Sequence, residues 1–304
     1  MDKKNKLSVV ISAFNEENKI QDCLESVKWA DEIIFVDNSS TDKTIQIAKK
    51  YTNKTFVREN NLMLNINKNF GFAKASGEWI LSLDADERVS SDLATEIKSI
   101  VAAPSEKDGY YIPRKNIIFG KWIKHTGWYP DYQLRLFRKE KGKFAEKHVH
   151  EMLELAGETD NLKNELIHYN YENVRQFLYK LENIYAPNEA EQLISNGYVF
   201  NWLDAIRFPF KEFLSRFFAR EGYKDGFHGL ILSIFMAFYH FIVFTYIWER
   251  HNFSEVKIDN IVENTEKELM KRYTETAFWF VDQKIKATKH PVKKIVLRIK
   301  RKLL

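Results

Sequence analysis

Cysteine is almost absent from this chain of 304 residues: Cys23 stands alone. No intrachain disulfide framework is therefore available, and a reducing, cytosolic setting is favoured. A signal-peptide core is also missing. Met-Asp-Lys-Lys-Asn-Lys gives way at Leu7 to a short run that fits a strand better, so secretion is not expected. No internal repeat or low-complexity block is evident. No glycine-rich, basic loop follows the first apolar run, where Phe14-Asn15-Glu16-Glu17 stands instead. That acid disfavours a nucleotidyltransferase, which usually needs such a loop for its metal-held diphosphate. What is present is ordinary for a globular protein, 44% apolar residues and a net charge of +5, with length enough for one large domain or two smaller ones.

The most informative stretch is Trp79-Ile-Leu-Ser-Leu-Asp84-Ala85-Asp86-Glu87, an apolar strand that ends in three carboxylates. Crowded carboxylates repel one another and resist burial, so the acid needs a reason. A solvated turn is one. A divalent cation, Mg²⁺ or Mn²⁺, held by one or two carboxylates and the phosphates of a substrate, is the other.

The first hundred residues alternate strand and helix patterns. Leu7 to Ala13 reads as a strand, and from Glu16 to Trp29 the residues Ile20, Leu24 and Val27 fall at helical spacing, with Cys23 packing beside them. Strand Ile33 to Val36 follows, then a helix capped by Thr41 or Asp42 and running through Lys50. Strand Thr55 to Val57 and a helix from about Asn65 to Ala75 lead to the strand at Trp79. Such alternation predicts a parallel sheet with helices on both faces, whose ligands bind at the carboxyl ends of the strands. Three polar clusters, at Asn15, Asp37 and Asp84, would share that edge. Tyr110 to Tyr171 shows short aromatic and basic strands that finish the sheet, and the chain after about Asn173 reads as helical.

Gly229 to Trp248 carries no formal charge, and a helix of about 20 residues spans about 30 Å, enough for a bilayer core. Basic residues on both flanks (Arg207, Lys211, Arg216, Arg220, Lys224; Arg250 and the tail) give no clear cytoplasmic side. A span, an interfacial or re-entrant segment, and a buried helix of the domain all remain open. From Lys284 to Lys302 there are nine Lys or Arg and no acid. After Pro291, the residues Val292, Ile295, Val296, Ile299 and Leu303 form one apolar stripe. A basic amphipathic helix of this kind suits an anionic membrane surface, or else a charged face packed on the domain. Nucleic acid is the weakest reading, since the chain shows no basic, aromatic single-strand platform.

LSVVISAFNEENKI, WADEIIFVDNSSTDKT, KNFGFAKASGEWILSLDADE and GWYPDYQLRLFRK followed by HVHE, in that order, resemble the family 2 glycosyltransferases of the GT-A fold. Within them the chain is similar to bacterial lipopolysaccharide-core and lipooligosaccharide β-1,4-glucosyltransferases. The resemblance implies a Rossmann-like GT-A catalytic domain, set at residues 1–185, while the uncharged segment 229–248 and the basic amphipathic tail 291–304 make 186–304 a helical, membrane-associating region. It further implies inverting transfer of glucose or another hexose from a UDP-sugar; the hydrophobic anchor makes sense if the acceptor is a glycolipid or lipid-linked saccharide, with the enzyme at the cytoplasmic face of the inner or plasma membrane.

Residue by residue, it puts Asp37 on the uracil or ribose, Asp84 on the ribose side, Asp86 on the metal and Asp131 as catalytic base, with the backbone at Ala13 and Asn15 walling the nucleotide. Asp37 and Asp131 are also ordinary turn residues in their sequence contexts. Lys68 and Arg135 can meet phosphate or form a surface salt bridge. His148 and His150 share one face of a strand and can complete a metal shell or serve as hydrogen-bonded pocket residues. A membrane-attached scaffold that binds nucleotide-sugar without turnover is the rival from outside the enzymes.

Overall fold

The computed structural model describes residues 6–59, 64–146, 152–255 and 259–304. The chain divides into two compact units, one of Met1–Trp122 with Trp128–Asn170, the other of Ile123–Gly127 with Tyr171–Leu304.

The first unit opens with β1 (Leu7–Ala13), α1 (Ile20–Glu25), β2 (Glu32–Asp37), α2 (Thr44–Ala48), β3 (Thr55–Val57), α3 (Leu64–Lys74) and β4 (Trp79–Asp84). It continues through β5 (Glu87–Val89), α4 (Ser91–Ala102), β6 (Gly109–Ile118), β7 (Lys121–Trp122), β8 (Asp131–Arg138), β9 (Gly142–Lys143), β10 (Glu154–Leu155), β11 (Thr159–Asn161) and β12 (Leu166–Tyr171). The main sheet runs β3-β2-β1-β4-β8-β6-β12-β5. The four βα strands are parallel, as their helical connections require. β8 then joins β4 antiparallel and β6 joins β8 antiparallel, so the whole sheet is mixed.

Alternation along β1 explains the two faces. Leu7, Val9, Ile11 and Ala13 pack with Ile20, Cys23 and Leu24 of α1 and with Leu93 and Ile97 of α4. Val10 on the opposite face packs with Val36, Ile80 and Phe72 of α3. Gly71 allows that second layer its close approach, because a Cβ there would lie 2.5 Å from Val10 Cγ1. At the far end of β2, Glu32 accepts from Ser76 N at 2.7 Å and pairs with Lys54. Burial works to raise its pKa, but Lys54 and the Ser76 and Ser8 donors win and hold it at about 2.

Two helices are shorter than the sequence predicts. α1 ends at Glu25, where Ser26 Oγ turns back to donate to Cys23 O and Trp29 Nε1 donates to Ser26 O. α2 starts only at Thr44, where Asp42 Oδ1 accepts from the Thr44 amide at 2.9 Å. In both regions local side-chain bonds close a turn rather than extend the helix.

The second unit is helical: α5 (Val174–Lys180), α6 (Ala186–Ser195), α7 (Asp204–Leu214), α8 (Phe227–Arg250), α9 (Ile261–Ala287) and α10 (Pro291–Lys302). α8 contains the uncharged segment. Its Leu232, Val243 and Ile247 are buried while Ile234, Phe238 and Phe241 are exposed, and only 28% of its most apolar 18-residue window is buried. Mid-helix, Tyr239 bonds Glu189 of α6, and His240 lies 3.8 Å from Glu189 and 3.7 Å from Glu212 of α7. α10 starts on Pro291, with the His290 side chain accepting from the Lys293 amide. Its stripe (Val292, Ile295, Val296, Ile299, Leu303) is between 56% and 82% exposed.

Candidate functional site

Strand register brings the predicted residues to one edge. Ala13 pairs with Asp37, and Ser12 with Asp84, so three adjacent strands end together. The loop after β1 is fastened to the loop after β2. Asn15, in the left-handed region at φ 53°, accepts from Thr41 N at 2.8 Å and donates through its own amide to Ser40 Oγ at 3.0 Å. The amides of Glu16 and Glu17 donate to Thr44 Oγ1 and Asp42 Oδ2.

Asp37 is 2% exposed. Its Oδ2 accepts from Ser40 N at 3.0 Å, closing the turn, while its Oδ1 is buried with no hydrogen-bond partner. Asn38 beside it accepts from Asn67 Nδ2 at 2.8 Å, which leaves its own Nδ2 buried and unpartnered. Each of these buried, unsatisfied atoms is costly as it stands, the acceptor on the α1 side of the sheet and the donor on the α3 side.

The three acids after β4 have three different environments. Asp84 accepts from Lys68 Nζ at 2.6 Å and from Arg135 Nη2 at 2.5 Å. Burial works to raise its pKa, but Arg135 and then Lys68 hold the carboxyl well below the usual range. Glu87, fully buried, accepts from Arg135 Nη2 at 2.7 Å and from the Asp84 amide at 3.0 Å. Lys68 and Arg135, predicted to meet phosphate or to pair on a solvated face, thus pair with these acids, and Arg135 does so inside the unit.

Asp86 differs: its Oδ2 lies 3.5 Å from His168 Nε2 of β12. A carboxylate oxygen and an imidazole nitrogen this close fit a shared cation, with diphosphate oxygens and water completing the shell of a Mn²⁺- or Mg²⁺-sized ion. Among the described residues no cluster of three or more His, Cys, Asp and Glu could hold a metal without such help. His148 and His150 lie outside the described residues.

Asp131 starts β8 opposite Arg114 of β6. Arg114 Nε and Nη2 donate to its Oδ2 at 2.8 and 2.5 Å, Asn116 Nδ2 donates to the same oxygen at 3.2 Å, and Gln133 Nε2 donates to Oδ1 at 2.9 Å. Burial works to raise its pKa, and Arg114 with these amides brings it below the usual value. The group is ionised at neutral pH and can accept a proton, though a low pKa limits its strength as a base.

Sequence reasoning missed His168, Asn116 and Arg114. The signal for His168 lies in Leu166-Ile-His168-Tyr-Asn170, where the buried face of the strand reads Leu, His, Asn. Buried polar residues at period 2 announce partners on a neighbouring strand.

Three comparisons bear on this geometry. Residues 8–153 match the model for Glycosyl transferase family 2. The lipopolysaccharide core biosynthesis glycosyltransferase LpsC of Rhizobium meliloti is 28% identical over 251 residues, covering 81% of this chain and 93% of LpsC. An uncharacterized glycosyltransferase of Rickettsia typhi is 29% identical over 249 residues, covering 78% of this chain and 85% of that one. The structure of Staphylococcus aureus TarS 1–349 in complex with UDP-GlcNAc aligns with a TM-score of 0.42 at 16% identity, covering 84% of this chain and 94% of that one. Similarity that distant transfers no residue role. The family match covers the βα series and its acidic strand end, and the relatives that align along most of their own length are themselves named glycosyltransferases, so the chain is similar to glycosyltransferase family 2 over residues 8–153.

Proposed function

We propose that this glycosyltransferase moves glucose or another hexose, with inversion, from a UDP-sugar to a glycolipid or lipid-linked saccharide such as a lipopolysaccharide core. The observation that carries the reading is the placement of the acids at the end of β4: Asp84 accepts from Lys68 and Arg135, Glu87 accepts from Arg135, and Asp86 lies 3.5 Å from His168.

In this reading Asp37 and Asn38 meet the base, and the backbone at Ala13 and Asn15 walls it. Asp84 remains on the ribose side, with its unused lone pairs as acceptors. Lys68 and Arg135 stand beside the diphosphate. Asp86 and His168 would hold a divalent cation, whose chemistry is to offset the charge gathering on the departing diphosphate. Asp131 takes the proton of the acceptor hydroxyl as that oxygen bonds to the anomeric carbon. The bond from that carbon to the diphosphate breaks, and its electron pair leaves with UDP.

A lipid-linked acceptor is supported by the name of LpsC and by the exposed apolar faces of α8 and α10. With its basic residues, α10 suits the anionic cytoplasmic leaflet, which makes the enzyme peripheral, re-entrant or single-span at that face. The test is a screen of UDP-hexoses for metal-dependent hydrolysis, followed by transfer to lipid extracts. Turnover lost in both Asp86→Ala and Asp131→Asn supports the reading. Nucleotide-sugar binding without turnover in the parent protein supports a scaffold instead.

A further inference from the structure

Asn116 of β6 is fully buried and touches both halves of the site. Its Nδ2 donates to Trp128 O at 2.8 Å and to Asp131 Oδ2 at 3.2 Å. Its Oδ1 lies 2.7 Å from His168 Nδ1 and 3.5 Å from Asn170 Nδ2. The direction of the amide follows from chemistry alone. A backbone carbonyl and an ionised carboxylate only accept, so the NH₂ must face Trp128 and Asp131. The carbonyl must then face His168, and an acceptor there requires the proton to sit on Nδ1. That leaves Nε2 as the nitrogen that faces Asp86 Oδ2, 3.5 Å away.

We propose that Asn116 is a positioning residue that sets the metal-facing nitrogen of His168 and the carboxylate of Asp131 through one amide. The inference rests on the reading of Asp86 and Asp131 given above. It adds that the leaving-group and acceptor sides of the reaction are oriented by the same side chain, itself anchored on the Trp128 carbonyl. Partners that orient a metal-bound histidine change metal affinity by about 10- to 100-fold.

Two substitutions separate the two ends of the amide. Asn116→Leu removes both. Asn116→Asp keeps an acceptor for His168 Nδ1 but replaces the donor facing Trp128 O and Asp131 with oxygen. Mn²⁺ binding in the presence of UDP, measured by calorimetry, and kcat for transfer or UDP-sugar hydrolysis are the two readouts. In Asn116→Leu, Mn²⁺ affinity should fall about 10- to 100-fold and kcat should fall with it. In Asn116→Asp, Mn²⁺ affinity should stay within about threefold of the parent while kcat falls by about 100-fold or more.

Unchanged Mn²⁺ affinity in folded Asn116→Leu overturns the inference, as does joint loss or joint retention of both readouts in Asn116→Asp. If Asn116→Leu does not fold, Asn116→Asp decides alone. Asp86→Asn is the control: should it leave Mn²⁺ binding intact, the reading of the metal side fails. Should it abolish binding while Asn116→Leu does not, only the role of Asn116 fails.

Discussion

Arg135 Nη2 of β8 lies 2.5 Å from Asp84 Oδ2 across the antiparallel pair that β8 forms with β4, and the same nitrogen reaches Glu87 Oε1 at 2.7 Å. One buried guanidinium therefore compensates two acids at a strand end. Removing it strands Glu87 in the interior. We expect Arg135→Leu to cost about 3–5 kcal/mol of stability, measured by urea unfolding at neutral pH. Arg135→Lys should restore only part of this, since an ammonium lacks the planar fork.

Acid should weaken the fold through Glu32. Its folded pKa of about 2 lies below the ordinary 4.5, so its stabilisation is present above about 4.5 and is lost as pH falls toward 2. Glu32→Gln should lower stability at pH 7 by about 1 kcal/mol and flatten the unfolding profile between pH 4.5 and 2. An unaltered profile would count against the Lys54 and Ser76 partners as its cause.

Gly71→Ala tests the layer beneath α3. The added methyl improves helix propensity by about 1 kcal/mol but collides with Val10 Cγ1 at 2.5 Å and Val36 Cγ2 at 3.2 Å. Overpacking of this kind costs about 1–3 kcal/mol. The balance predicts a lower Tm by differential scanning calorimetry, with the Lys68 to Asp84 pair on the same helix disturbed.

Asp131→Asn should lower kcat by about 10²- to 10⁴-fold, the usual worth of a general base, with the donor KM little changed. A matching rise in donor KM with kcat intact would instead assign Asp131 to sugar binding.

Deletion of residues 291–304 should release the protein from vesicles containing anionic lipid. Each basic residue near such a surface contributes about 1 kcal/mol, so binding should also fall with added salt. Equal binding of the truncated and full-length chains to those vesicles would remove α10 from the membrane account.

The βα half was legible because its signals are local. The apolar runs of β1, β2 and β4 are each bounded by polar clusters, and parallel pairing through helical connections puts Ala13, Asp37 and Asp84 on one edge without further information. Glu87 was not legible as a strand residue, because β5 pairs with β12, opposite His168, a partner far along the chain. The ties of Asn116 to Asp131 and His168 span 15 and 52 residues, distances at which no periodicity speaks. α1 and α2 came out short for a related reason: side-chain bonds of Glu17 and Asp42 between the preceding loops hold residues 16–17 and 42–43 outside the helices, and Ser26 and Trp29 close a turn after Glu25.

Lys68 and Arg135 are already immobilised on Asp84. Long cations left free in solvent must lose their rotamer freedom when an anion arrives. Here Asp84 already orders both side chains. In the proposed reading a nucleotide diphosphate would exchange counter-charges with Asp84 rather than recruit them.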